Sequence, residues 1–362
     1  LEGGVQSGNI IFLALDSRAY RKVKSADGLE ALIDSFSEAD GTKYLFIDEI
    51  QNVKDFEEVV NAFRGSGEYS IFITGSNSYL LSGELVTKLT GRYVEFELYP
   101  LSFDEYLDMK AFLGKEVNAN LLIELNNYLQ EGGFPKAMRY DDFADKRTYV
   151  RSVIDEIFEK DIKRRIKVRN VETFNNVRNF IINNFGASVS IKSLQETLSK
   201  NGMEVKRATL SRYIGALLQS KILYQCDRFD MKSKRALSGE KKYYLANISF
   251  YFATNTDNRI NYGPALENMV YIYARGLDYA VSVGRIGKLE CDFILRDNNL
   301  NYSYVQVAYT IGENKSTEDR EYAPLEAIAD NYPKYVLTTD YLLQNRNGIR
   351  HLNLLEFMKN HL

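Results

Sequence analysis

Residues 43–96 contain three short segments that indicate the fold, KYLFIDEIQ (43–51), IFITGSNS (71–78) and LTGRYVEF (89–96). The first two begin with apolar runs rich in Ile and Phe and end in polar residues. Residues 10–16 have the same character, and segments of helical period at 29–36 and 56–63 separate these runs. Strands that alternate with helices predict a parallel sheet, and ligands gather at the carboxyl ends of its strands.

Two carboxylates, Asp48 and Glu49, end the strand predicted at 43–48. Transfer of a phosphoryl group from ATP needs one carboxylate to hold magnesium through water and a second to polarise the attacking water. Asp48 suits the first role and Glu49 the second. Asn77, after the next strand, can help to orient that water. The alternative interpretation of the Asp-Glu pair is a helix cap.

Arg92 is a candidate to stabilise transition-state charge on the nucleotide of a neighbouring subunit, which would require a homo-oligomer. Its alternative is a structural salt bridge. Both interpretations stay open at the level of sequence.

The loop that normally cradles the phosphates of ATP, G-x-x-x-x-G-K-[ST], does not occur in these 362 residues. Without its backbone N–H groups and its lysine, Mg-ATP loses most of its contacts, so we expect this polypeptide to bind ATP poorly. We expect the loop to lie upstream of Leu1, because the chain begins without Met just before a core strand. A natural loss of the loop is the alternative.

Charge is distributed unevenly along the chain. The net charge is -3, yet residues 160–242 contain 19 Lys and Arg against 7 Asp and Glu. This asymmetry predicts a polyanionic partner, and the alternative is a solvated basic surface that faces acidic neighbours.

The two cysteines give no disulfide framework, and the longest apolar run, 10–15, is too short to span a membrane. We therefore expect a cytoplasmic protein without membrane contact.

The basic segment has the layout of a winged helix, with three helical patterns at 174–181, 191–198 and 207–218. Two strands follow, at 222–224 and 242–245, on either side of a polar, basic hairpin at 227–241. The third helix and the hairpin present polar and basic side chains that predict salt-dependent DNA binding without sequence preference: Arg207, Ser211, Arg212, Lys232, Lys234 and Arg235. The alternative is that the winged helix packs against a protein partner or against its own neighbours.

Four motifs together carry a family resemblance: IDEIQ (47–51), TGSNSYLLSGELVTKLTGR (74–92), YPLSFDEY (99–106) and EGGFP (131–135). They resemble the bacterial and archaeal AAA+ family in which an ATPase core precedes a winged helix and a PD-(D/E)XK nuclease-like domain. The resemblance covers nearly the whole chain and implies that the phosphate loop precedes the strand at 10–16. It divides the chain into an ATPase core (1–112), a helical lid and linker (113–169), a winged helix (170–253) and a nuclease-like domain (254–362).

The last segment resembles the PD-(D/E)XK arrangement, in which a helix Glu, a strand Asp and a Glu-x-Lys pair on the next strand hold magnesium and activate water. Glu267, Asp292 and Gln306 match these positions. Gln306 is a neutral amide, which is a weaker ligand for a hard cation than a carboxylate, and Ala308 stands where the lysine would. We therefore expect a nuclease fold without nuclease activity. In this interpretation Glu267 and Asp292 remain as hydrogen-bond partners, and Glu290 lies on a solvated strand face.

The sequence thus predicts an α/β protein with an incomplete P-loop AAA+ parallel-sheet core, a helical lid, a winged helix and a nuclease-like α/β domain. The expected function is that of an ATPase, using ATP and magnesium when the phosphate loop is present, that couples nucleotide state to a DNA or protein partner. The alternative is a catalytically silent DNA- or protein-binding module.

Overall fold

The computed structural model describes residues 4–36, 40–75, 89, 91–255, 260–312 and 314–359. The chain divides into two compact units, Leu1–Phe96 and Glu97–Leu362. None of the helices in these described ranges combines the length and apolar character needed to cross a membrane.

The first unit contains a parallel sheet of three strands in the order β1-β2-β3. The strands are β1 (Ile10–Ala14), β2 (Lys43–Asp48) and β3 (Tyr69–Ile73), and the helices are α1 (Ala26–Asp34) and α2 (Phe56–Ser66). Short 3-10 turns precede β1 (Ser7–Asn9) and follow β2 (Ile50–Asn52). The predicted parallel sheet is confirmed for this part of the chain.

Local sequence explains the helix ends and the core of this unit. Ser25 caps α1 by accepting a hydrogen bond from the backbone N–H of Gly28 at 3.3 Å. Gly67 ends α2 with φ of 75°, a left-handed conformation that favours glycine. Apolar side chains from the strands and helices meet in one buried cluster that includes Leu13, Leu29, Leu45, Ile47 and Phe56.

The second unit begins with helices α3 (Phe103–Phe112), α4 (Leu121–Glu131) and α5 (Phe143–Ile157), and a 3-10 turn (Ala137–Arg139) precedes α5. A π turn (Phe158–Ile162) and a short helix (Lys163–Arg165) continue α5. Helix α4 ends at Glu131, the first residue of the EGGFP motif. Only glycine fits there, because a Cβ atom on Gly133 would lie 2.2 Å from the carbonyl oxygen of Leu101.

Helices α6 (Val171–Asn183), α7 (Ile191–Lys200) and α8 (Arg207–Gln219) follow, with the short strand β4 (Ser188–Val189) between α6 and α7. An antiparallel pair, β5 (Leu223–Asp230) and β6 (Arg235–Leu245), comes next. The expected order of three helices and a hairpin is therefore present, although the predicted strand bounds were wrong. The basic residues expected in a long hairpin loop mostly lie within paired strands, and the turn is limited to residues 231–234.

The rest of the chain contains α9 (Ser249–Thr254), α10 (Tyr262–Gly276), β7 (Ala280–Ile286), β8 (Leu289–Arg296), β9 (Tyr302–Val307), α11 (Lys315–Glu326), β10 (Lys334–Thr338), β11 (Arg350–Asn353) and α12 (Leu354–Lys359). All eight strands of this unit form one sheet in the order β11-β10-β9-β8-β7-β5-β6-β4. Parallel pairing of β5 with β7 joins the hairpin to the C-terminal strands.

One large buried cluster extends through this unit from Phe103 to Met358, and a second, smaller cluster lies in its C-terminal part. The largest fully buried side chains of the larger cluster include Tyr106, Tyr213 and Tyr244. The helices α3 to α8, the β5–β6 hairpin and much of the C-terminal part therefore share the larger hydrophobic core.

Candidate nucleotide site and buried charge cluster

The carboxyl ends of β2 and β3 bring Asp48 next to Thr74. The parallel register pairs Ile47 with Ile73, so the next residue on each strand is a neighbour of the other. The hydroxyl of Thr74 donates a hydrogen bond to Oδ1 of Asp48 and accepts one from the backbone N–H of Glu49 at 3.5 Å. A bond of this kind fixes the orientation of a metal-facing carboxylate.

Glu49 has an unusual backbone conformation for a residue other than glycine, with φ of 57° and ψ of 44°. Left-handed geometry costs such a residue about 1–3 kcal/mol and is concentrated at functional sites. Its carboxylate accepts a hydrogen bond from Nε2 of Gln51. This left-handed conformation turns the chain directly after β2, and Asp48 and Glu49 both lie at that edge of the sheet.

Two other predicted residues of this site have different positions. Arg92 is exposed, and its Nη1 donates a hydrogen bond to Oδ1 of Asn61 on α2 at 3.2 Å. The structure records no bond from Arg92 to Asp48 or Glu49 among the described residues. Asn77 lies outside the residues that the structure describes.

The residues present fit only part of Mg-ATP. Carboxylates at the end of a parallel strand are suitable for holding magnesium through water, and Thr74 orients one of them. The groups that would cradle the phosphates are missing from the sequence, which has no G-x-x-x-x-G-K-[ST] loop. The residues present are therefore suited to the magnesium ion of Mg-ATP but not to its phosphates.

The residues expected to contact DNA are exposed. Helix α8 begins at Arg207, and Arg207, Ser211 and Arg212 all face solvent, whereas Leu210 and Leu217 are fully buried behind them. Arg207 is held by Gln195 of α7, whose Oε1 accepts from its Nε at 3.1 Å. A basic outer face on an apolar base is the arrangement that a groove-binding helix requires.

The β5–β6 turn carries the remaining predicted cations. Lys232 and Lys234 lie in the turn, Arg235 begins β6, and all three side chains are exposed. Many other basic residues of the segment 160–242 are neutralised instead. Arg228, for example, donates to Glu240 and to Glu290, each at 2.6 Å.

Glu267 and Asp292, two of the three residues predicted for a nuclease-like site, lie beside a lysine that the sequence interpretation did not include. Lys242 of β6 places its ammonium 3.1 Å from Glu267 of α10, 3.1 Å from Glu290 and 3.8 Å from Asp292, both of β8. Its side chain is only 6% exposed. Glu267 also accepts a hydrogen bond from the hydroxyl of Tyr244 at 3.1 Å. The expectation of a solvated Glu290 was wrong, because Lys242 and Arg228 both pair with it.

Gln306 of β9 completes this cluster with neutral hydrogen bonds. Its Oε1 accepts from the backbone N–H of Asp292 at 3.2 Å, and its Nε2 donates to Glu321 at 2.9 Å. Asp292 in turn accepts from the backbone N–H of Val307 at 2.9 Å. Ala308, at the position expected for a lysine, is buried among apolar side chains. Gln306 therefore has the contacts of a structural residue.

Burial and the cluster's own charges shift the pKa values of its members. Burial raises the pKa of Asp292 well above its ordinary value, and the negative charge of Glu267 raises it further. Burial likewise raises the pKa of Glu267, against the opposing effect of Lys242. For Lys242, burial favours loss of the proton, but Glu267, Asp292 and Glu290 outweigh it and raise its pKa. The ammonium is the stable form at the centre of the cluster.

The sequence carried no local signal for Lys242, because it lies 25 residues from Glu267 and on a different element. The sequence shows that Thr74 follows β3, but its bond to Asp48 depends on the register in which β2 and β3 pair, which the sequence does not show. Within the described ranges, no group of three or more His, Cys, Asp or Glu side chains has the geometry of a metal site.

These features define the class of the first unit. Residues 2–107 match the family model described as AAA domain, and residues 122–259 match a domain of unknown function, DUF8612. The parallel sheet with its carboxylate pair is thus part of an AAA-type ATPase domain.

Two relatives show the family to which the chain belongs. An uncharacterized protein of Haemophilus influenzae is 34% identical over 358 residues, which are 98% of this chain and 87% of the relative. An uncharacterized protein of Methanocaldococcus jannaschii is 32% identical over 317 residues, 84% of this chain and 69% of the relative. The chain belongs to the same family as these proteins, and residues 2–107 carry its AAA domain.

Solved structures give weaker likenesses. The Walker-type ATPase PABY2304 of Pyrococcus abyssi has a TM-score of 0.39 and 14% identity, over 63% of this chain and 66% of that one. The Orc1 protein of Aeropyrum pernix, solved in complex with DNA, has a TM-score of 0.29 and 13% identity, over 68% and 77%. At these TM-scores neither likeness carries a conclusion about function.

Proposed function

We propose that this protein is an AAA+ type ATPase that couples its nucleotide state to a DNA or protein partner. The observation that carries this proposal is the Asp48 carboxylate at the end of β2, oriented by Thr74 and followed by the strained Glu49. Asp48 would hold magnesium through water and Glu49 would polarise the attacking water. Asn77 would help to orient that water, and Arg92 would act on the nucleotide of a neighbouring subunit.

We expect these 362 residues to bind ATP poorly, because they contain no G-x-x-x-x-G-K-[ST] loop whose backbone and lysine would neutralise the phosphates. The test compares this polypeptide with one extended by the coding sequence upstream of Leu1. If that sequence supplies G-x-x-x-x-G-K-[ST], Mg-ATP should raise the melting temperature of the extended protein and leave this chain nearly unchanged.

In the extended protein, Glu49→Gln should retain ATP binding and abolish turnover, because the amide cannot polarise water as a carboxylate does. Thr74→Ala is the matched variant for the orienting bond and should lower turnover less. An extended protein whose melting temperature does not respond to ATP contradicts the ATPase proposal.

The partner-binding part of the proposal assigns a winged helix to residues 170–253 and a helical lid to 113–169. The exposed face of α8, with Arg207, Ser211 and Arg212, and the basic β5–β6 turn support contact with DNA. The partner contacts would be with phosphates and therefore salt-dependent.

Residues 254–362 are proposed to be a nuclease-like domain without nuclease activity. The strand order β10-β9-β8-β7 with α10 before β7 and α11 after β9 supports that assignment. The ammonium of Lys242 lies among Glu267, Glu290 and Asp292, where a nuclease would need a divalent cation, and Gln306 is engaged by Glu321. Incubation of purified protein with Mg²⁺ and plasmid should give no cleavage, and cleavage that Asp292→Ala abolishes would contradict this assignment.

A catalytically silent binding protein is the second candidate function. The absence of a phosphate-binding loop from the 362 residues favours it. Under this hypothesis the winged helix and the C-terminal segment hold DNA or a protein, and ATP has no effect on that affinity even in the extended protein.

A further inference from the structure

A groove of about 1100 Å³ opens on one face of the eight-stranded sheet in the second unit. The groove lies between the β5–β6 turn and the segment that follows α11. Its floor includes Ser282, Ile294 and Tyr304, which are paired directly across β7, β8 and β9 and so share one face. A groove of this size lies at the upper end of the range for small-molecule pockets, so it can also hold a short segment of an extended ligand.

The rim of the groove is positively charged. Lys232 and Lys234 of the turn and Arg296 at the end of β8 line it, and all three are exposed. None of them forms an ion pair with any residue that the structure describes. Of the two acids in the lining, Asp227 forms an ion pair with Lys241 at 2.5 Å, whereas Asp330 accepts a hydrogen bond from the hydroxyl of Tyr304 at 2.5 Å and keeps its charge, which leaves three cations against one anion. The rim therefore complements a polyanion.

Aromatic rings stand beside these cations. Tyr302 is the cross-strand neighbour of Arg296, and its ring centroid lies 5.3 Å from that of Tyr332, whose side chain is 44% exposed. Phe229 of β5 lines the groove as well and is half-buried. Aromatic faces between unpaired cations are what splayed nucleobases and their phosphates require.

We infer that this groove binds single-stranded nucleic acid, with bases on Tyr332 and Tyr302 and phosphates on Arg296, Lys232 and Lys234. A duplex keeps its bases stacked inside, whereas a single strand can turn them onto aromatic side chains. The groove holds on the order of two or three nucleotides. The inference rests on the proposed nucleic-acid binding and adds to it a second surface, distinct from α8, and the single-stranded form of the ligand.

The test measures the fluorescence anisotropy of a labelled oligothymidylate of about 20 nucleotides and of a duplex of equal length. The double variant Arg296→Ala with Tyr332→Ala changes only exposed side chains and should lower single-strand affinity by about tenfold or more, because it removes a stacked base and a phosphate contact. Its duplex affinity should stay within about twofold of wild type. Tyr332→Phe keeps the ring and should bind the single strand like wild type, as should Lys54→Ala, an exposed lysine of the other unit.

The pair Arg207→Ala and Arg212→Ala on α8 should have the opposite effect, with a larger loss for the duplex. If wild type binds the duplex but the Arg296 and Tyr332 variant keeps full single-strand affinity, the groove inference fails and the proposed DNA binding stands. If wild type binds neither oligonucleotide, both fail. Displacement of the oligonucleotide by polyglutamate at equal charge concentration would also overturn the inference, because it would indicate binding of any polyanion, such as an acidic peptide.

Discussion

Replacement of Lys242 by Met removes the one ammonium that pairs with Glu267, Glu290 and Asp292 at 3.1, 3.1 and 3.8 Å. Methionine fills similar volume, so the change tests charge rather than packing. Loss of one partner from a buried ion cluster leaves uncompensated charge and costs about 3–5 kcal/mol. We expect that decrease in the free energy of unfolding at neutral pH, measured by urea denaturation followed by circular dichroism.

The matched control is Lys241→Met, one residue away on the same strand. Lys241 pairs with Asp227, and their side chains are 24% and 54% exposed, so its loss should change stability by about 1 kcal/mol or less. The double variant Lys242→Met with Glu267→Gln removes a carboxylate together with the ammonium and should recover part of the loss.

The pH dependence has a definite sign. Burial raises the pKa of Glu267 and Asp292 in the folded protein, and loss of Lys242 removes the charge that opposes this rise. The folded variant then binds more protons than the unfolded chain above about pH 4, so its stability falls as pH rises. The difference from wild type should therefore be smaller at about pH 5 than at about pH 8. A loss below about 1 kcal/mol, or one equal at both pH values, would refute the buried ion cluster.

Three further predictions follow from single contacts. Gln306→Glu should destabilise the protein by about 1–3 kcal/mol at neutral pH, because the amide that donates to Glu321 becomes a second carboxylate; thermal denaturation at several pH values checks this, and equal stability at alkaline pH would contradict it. Loss of Arg207 and Arg212 should make the dependence of log duplex affinity on log salt concentration less steep by about 1.8, since each phosphate contact contributes about 0.9. Anisotropy titrations at several salt concentrations measure this slope, and an unchanged slope would mean that these two residues do not contact phosphates. The thiols of Cys226 and Cys291 should react with a disulfide reagent only after the protein unfolds, because both are buried and burial raises the pKa of Cys226 to about 12 and raises that of Cys291 as well. A thiol that reacts in the native protein would show that the reagent reaches it without unfolding.

Much of the first unit could be predicted from local sequence. Its strands are continuous apolar runs and its helices are amphipathic, and both patterns can be recognised within a window of a few residues. The carboxylates of Asp48 and Glu49 follow directly from where β2 stops. Strands that contain basic residues were harder to predict from sequence. Arg228, for example, is typical of a loop, and only its ion pairs with Glu240 and Glu290 explain why it lies buried in a strand.

The amino-acid sequence alone was sufficient to predict the parallel sheet, the carboxylate pair at its edge and the lack of a phosphate-binding loop in these 362 residues. The bond from Thr74 to Asp48, the pairing of β5 with β7 and the position of Lys242 among the acidic residues of α10 and β8 became visible only in the folded chain. Apolar periodicity is set by neighbours along the chain, whereas the partners of a buried charge depend on which strands pair, and strand pairing joins residues that are distant in sequence.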